Sequence, residues 1–116
     1  GYMKLFCFVC IISVACLYVP KSYGFNIAQN ICEYVAVDDK GRLRKLLKAN
    51  RLKLRTVFSD VLCDNNNILI FAAKKNAMEI GQLLIKKLPK SVIEGELDNL
   101  SSLSPQLADI ARTRIN

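Results

Sequence analysis

The segment NILIFAAKKNAMEIGQLLIKKLP, Asn67 to Pro89, sets two short apolar runs, Ile68–Ala73 and Ile80–Ile85, on either side of a polar break at Lys74–Asn76. That arrangement predicts two antiparallel helices joined by a tight turn. Asn67 is placed to cap the first helix, over about Ile68–Lys75, and Pro89 to stop the second, over about Ala77–Leu88. A shift of 37 residues lays Ile31–Asn50 on Ile68–Lys87. Ile31 then falls on Ile68, Tyr34 on Phe71, Leu43 on Ile80, and Leu46 and Leu47 on Leu83 and Leu84. Only four of the 20 aligned positions are identical, but the agreement lies on apolar positions, as a repeated packing unit requires.

Helical spacing continues on both sides of this segment. Asn26 is expected to cap a helix to about Val37, with Ile27, Ile31 and Tyr34 or Val35 on one face. Asp38-Asp39-Lys40-Gly41 reads as a turn that caps the next helix, over Arg42–Ala49, which buries Leu43, Leu46 and Leu47. Asn50 is expected to end it in a left-handed conformation. Residues 51–62 are divided. Leu52 and Leu54 alternate like a strand, whereas Leu54, Val57, Phe58 and Val61 follow helical spacing, and a short helix is preferred. Ser91 is expected to cap Val92–Leu100, and Ser104-Pro105 to open a last helix presenting Leu107, Ile110, Ala111 and Ile115. The fold class expected is all-α: a small bundle of about six short helices, with two helical hairpins closed by the C-terminal helices.

The first 24 residues read differently. Lys4 precedes the apolar run Leu5–Val19, and Ser22-Tyr23-Gly24 offers small residues for cleavage after Gly24. With Met3 as the start, 1–24 is expected to be a signal peptide and 25–116 a single helical domain. An uncleaved anchor is disfavoured, because the run falls short of the roughly 20 residues that span a bilayer. Lipidation at Cys16 is disfavoured because the apolar run continues beyond it. Cys7, Cys10 and Cys16 leave with the leader, and Cys32 and Cys63 remain. An even pair in an exported chain reads as one disulfide.

Charge is unevenly distributed. Lys4 and Lys21 belong to the leader, so the remainder carries +5 of the chain's +7. Between 40 and 55 stand Lys40, Arg42, Arg44, Lys45, Lys48, Arg51, Lys53 and Arg55 without one acid. These eight form the candidate anion-binding surface. The chain has no His, no glycine-rich phosphate loop and no nucleophile motif. Two cysteines without His do not make an ordinary zinc site. No enzyme activity, cofactor or metal is therefore expected. Asp38-Asp39 suits a helix N-terminus, where carboxylates offset the dipole. The favoured function is a non-catalytic periplasmic interaction or structural module that binds a protein through its hairpin tips or concave face. The alternative is a binder of an anionic envelope component or nucleic acid through 40–55, nucleic acid being disfavoured by the absence of interleaved aromatics.

Two resemblances bear on this reading. Leu69-Ile70-Phe71-Ala72-Ala73 and Glu79-Ile80-Gly81-Gln82-Leu83-Leu84 make the second unit similar to an ankyrin repeat. It departs where Asn67-Ile68 replaces the opening Thr-Pro and Ile70 the turn-tying His, and its spacing exceeds the usual 33. Asp39–Leu52, Cys63–Asn65 and Leu69–Ala73 together resemble the domain of unknown function 3718, a family of short exported gammaproteobacterial proteins. In that family the second cysteine is followed by Asn-Gly; here Asp64-Asn65 stand there. The resemblance implies a periplasmic location and paired cysteines, and it supplies no activity.

Overall fold

The computed structural model describes residues 25–116; the expected leader, 1–24, lies outside them. Over these residues the chain forms seven helices: α1 (Phe25–Ala36), α2 (Lys40–Ala49), α3 (Leu54–Asp60), α4 (Ile68–Lys74), α5 (Met78–Lys87), α6 (Lys90–Leu103) and α7 (Pro105–Ile115). The all-α bundle expected from periodicity is what forms. The segment with a divided signal folds as α3, which buries Val57, with Val61 buried just beyond its end.

α4 is the centre. Every residue from Ile68 to Ala73 is buried, as an apolar-all-round helix demands. α1 and α3, α5 and α6 all pack against it. α7 lies against α5 and α6. Its approach to α5 needs Gly81, where a Cβ would stand 2.7 and 2.8 Å from the two methyls of Leu107.

The two hairpins, α1–α2 and α4–α5, turn identically. In the first, Asp39 N–H donates to the Tyr34 carbonyl (2.8 Å) and Asp38 N–H to Val35 (3.1 Å); in the second, Ala77 donates to Ala72 (2.9 Å) and Asn76 to Ala73 (3.2 Å). These pairs are 38 residues apart, one more than the apolar alignment of the sequence. A helical apolar face is several residues wide and tolerates a one-residue slip, whereas a turn does not. Each turn carries a left-handed residue, Asp38 (φ 57°) and Asn76 (φ 59°), in the hydrogen-bonding pattern that commonly ends helices.

Four local expectations are corrected. α1 begins at Phe25, so Asn26 lies inside it. Asn50 has φ −105°, and the left-handed residue after α2 is Arg51 (φ 54°), because the closing bond runs from Leu52 N–H to the Leu47 carbonyl. α6 starts at Lys90, directly after an extended Pro89, so Ser91 sits in its first turn without capping it. α6 also runs on to Leu103, past Leu100, with the Ser101 hydroxyl bonded back to the Leu97 carbonyl. The caps at Asn67 and Ser104 form as expected, their side chains accepting from Ile70 N–H (2.9 Å) and Leu107 N–H (3.3 Å).

Cys32 on α1 is bonded to Cys63, 31 residues later. Cys63 opens a two-residue turn in which it exchanges backbone hydrogen bonds with Asn66 (2.8 and 3.0 Å) across Asp64 (φ 54°) and Asn65 (φ 67°). Successive positive φ values define the turn type that Asn-Gly favours, and Asp and Asn tolerate it better than most residues. Asp64, Asn65 and Asn66 are all turn-forming types, which suits this conformation.

Candidate anion-binding groove

The second helix of the second hairpin positions the site. α5 has no capping side chain of its own at either end; Ala77 occupies its N-cap. Asp38, from the turn of the first hairpin, accepts from Ile80 N–H through Oδ1 (2.9 Å) and from Glu79 N–H through Oδ2 (3.1 Å). At the other end the Arg114 guanidinium on α7 donates to the carbonyls of Ile85 (2.8 Å) and Leu88 (2.7 Å). A carboxylate thus meets the positive end of the helix dipole and a guanidinium the negative end. Asp39 caps its own helix, accepting from Arg42 N–H (3.1 Å). The acidic pair is committed to helix ends, in line with its sequence reading.

Held this way, α5 lies opposite α2, and the two enclose an open groove of about 880 Å³. Leu47, Leu52, Leu54, Leu83, Leu88 and Pro89 supply apolar lining, and Arg44, Lys45, Lys48, Lys53, Arg55, Lys87 and Arg114 supply charge. No carboxylate lines it. A second recess of about 590 Å³ adjoins it, lined by Lys40, Arg44, Lys86, Lys87 and Arg114 with Leu83, Ile85 and Ile110. Arg44, Leu83, Lys87 and Arg114 border both.

Six of the eight expected basic residues line these recesses: Lys40, Arg44, Lys45, Lys48, Lys53 and Arg55. Arg42 and Arg51 line neither. Arg42 sits in the first turn of α2, 3.4 Å from the Asp39 carboxylate, and Arg51 occupies the left-handed turn. Lys40 is 3.8 Å from Glu79, so its charge is partly offset. Sequence reasoning missed Lys86, Lys87 and Arg114. The two lysines were visible as last-turn cations of α5, but only the packing of α5 beside α2 brings them to the groove. Arg114 is likewise a last-turn cation, but of its own helix α7, and nothing local directs it to α5.

Among the described residues no three His, Cys, Asp or Glu side chains gather into a metal-holding group. No described helix is long and apolar enough to cross a membrane. The acids of α6 stay apart from the groove, with Glu94 and Asp98 exposed and Glu96 beside Asn66, Asn67 and Lys74.

A family model described as "Protein of unknown function (DUF3718)" matches residues 31–94. The matched span contains both cysteines, both turns, α2 to α5 and the first residues of α6. No curated protein and no solved structure matches the chain. With more than half of its residues covered by the family model, and the paired cysteines and basic α2 inside the match, this chain belongs to the DUF3718 family of proteins of unknown function.

Proposed function

We propose that the protein is a non-catalytic binding module of the bacterial periplasm that engages an anionic envelope component through the groove between α2 and α5. The observation carrying this reading is the composition of the groove: seven cationic side chains from four segments of the chain and no carboxylate. Cations converging in a concavity raise the local potential more than the same number spread over a convex face. The Cys32–Cys63 bond supports an oxidising compartment, where such bonds persist. From the sequence, a protein bound at the hairpin tips or concave face was favoured and an anionic component was the alternative. One observation keeps the protein-binding reading in play: Val37, at the first tip, is 72% exposed.

The test is binding to polyphosphate and to phosphatidylglycerol vesicles at low salt and at half-molar salt. Attraction between exposed charges is screened over about 3–10 Å across this range, so affinity should collapse at the higher salt. Lys45→Glu/Lys48→Glu should abolish binding, and Arg51→Gly, outside the groove, should leave most of it. Binding that persists at half-molar salt, or that ignores the double reversal, refutes the proposal.

A further inference from the structure

The two recesses differ in a way that net charge alone does not explain. The larger has a floor of leucines, of which Leu52, Leu54 and Leu83 are half-buried and so present apolar surface to the groove. A site for a fully hydrated anion has no use for such a floor. The smaller recess is the more polar, and the two meet at Arg44, Leu83, Lys87 and Arg114. Of these cations Arg114 is the one held in place. One of its nitrogens is fixed by the Ile85 and Leu88 carbonyls at the end of α5, which pre-sets the guanidinium before any ligand arrives. A positioned guanidinium recognises phosphate oxygens with little further loss of freedom.

From this geometry we infer that the groove is a site for a phosphorylated amphiphile. The phosphate group sits at the junction of Arg44, Lys87 and Arg114, and one acyl chain lies along Leu83, Leu52 and Leu54. This rests on the anion-binding reading above and names its ligand class. The size of the groove suits a lipid monomer. Ligand pockets run to about 300–1,000 Å³, and the groove falls within that range at about 880 Å³. The flanking walls are helices, whose backbone groups are already bonded, so an extended peptide finds no edge to pair with.

The experiment is a titration of the purified protein, disulfide intact, with three soluble probes below their micelle concentrations and with polyphosphate. Lysophosphatidic acid carries both the phosphate and the chain, glycerol phosphate the phosphate alone, and lysophosphatidylcholine the chain under a zwitterionic head. Lysophosphatidic acid should bind at least tenfold more tightly than either of the other two. Arg44→Glu/Lys87→Glu should weaken it at least tenfold. Leu83→Gln should weaken lysophosphatidic acid by a several-fold larger factor than it weakens polyphosphate, with circular dichroism checking that each variant is folded. Glycerol phosphate binding as tightly as lysophosphatidic acid would overturn the amphiphile inference and leave the anion-binding reading standing. An acidic polypeptide such as polyglutamate displacing polyphosphate, with no preference for the acyl probe, has the same consequence. Equal binding of the two lysolipids removes the role of charge and overturns both. So does failure of every anion, polyphosphate included.

Discussion

Replacing Asp38 with Ala isolates the contact that joins the first hairpin to the second. Its carboxylate is the cap of α5, contributed from 41 and 42 residues upstream through bonds of 3.1 and 2.9 Å. Loss of an N-cap side chain costs about 0.5–2 kcal/mol. Loss of the carboxylate's attraction to the helix N-terminus adds about 0.3–1 kcal/mol. Asp38 also sits at φ 57°, where alanine is worse accommodated by about 1 kcal/mol. The sum is about 3 kcal/mol, and the exposed Lys40–Glu79 pair nearby changes it little. At roughly 4–8 °C per kcal/mol for a domain of this size, the melting temperature should fall by more than 10 °C. Asp38→Gly removes the cap but relieves the backbone, so it should cost only about 1–2 kcal/mol. Asp38→Asn keeps an acceptor and should cost about 1 kcal/mol or less. Urea unfolding followed by circular dichroism gives the stabilities, and hydrogen exchange locates the effect. Protection should drop at the amides of Glu79 and Ile80 in Asp38→Ala, but at Arg42 in Asp39→Ala, whose cap is local. An Asp38→Ala protein within about 0.5 kcal/mol of the parent, less than the usual loss of a cap, would refute the cross-hairpin cap as a determinant of the fold.

Three other outcomes are expected from the packing. Gly81→Ala gains helix propensity but drives a methyl into Leu107, which is fully buried, so overpacking of about 1–3 kcal/mol should dominate in urea unfolding; Leu107→Val should recover part of it. Arg51→Gly should raise stability by about 0.5–1 kcal/mol, because the relief of a left-handed non-glycine residue exceeds the added freedom of the unfolded chain. Reducing Cys32–Cys63 should cost about 3–4 kcal/mol on loop-closure grounds, and thiol labelling of the native protein without reductant should modify neither cysteine.

α4 shows what period and polarity convey without help. A helix apolar on every side has no stable place but the middle of a bundle, and Ile68–Ala73 lies there. Asn67 and Ser104-Pro105 are equally legible, since a cap satisfies donors three residues away on the same stretch of chain. Local signals failed where a neighbour competed. Asn50 was the better left-handed residue by type, yet hydrogen-bond geometry assigned that conformation to Arg51. The apolar match gave a repeat of 37, and the turns recur at 38.

Residue type and short-range spacing were enough for the all-helical class, three of the helix caps (Asp39, Asn67 and Ser104), the two-cysteine pair and the basic character of residues 40–55. Folding in three dimensions assigned Asp38 and Arg114 to the ends of α5 rather than to their own helices. It also placed six of the eight cations in recesses shared with Lys86, Lys87 and Arg114, while leaving Arg42 and Arg51 outside. Those partners lie tens of residues apart. They meet because α1 and α5 both pack on α4, while α2 packs on α1 and α7 on α5.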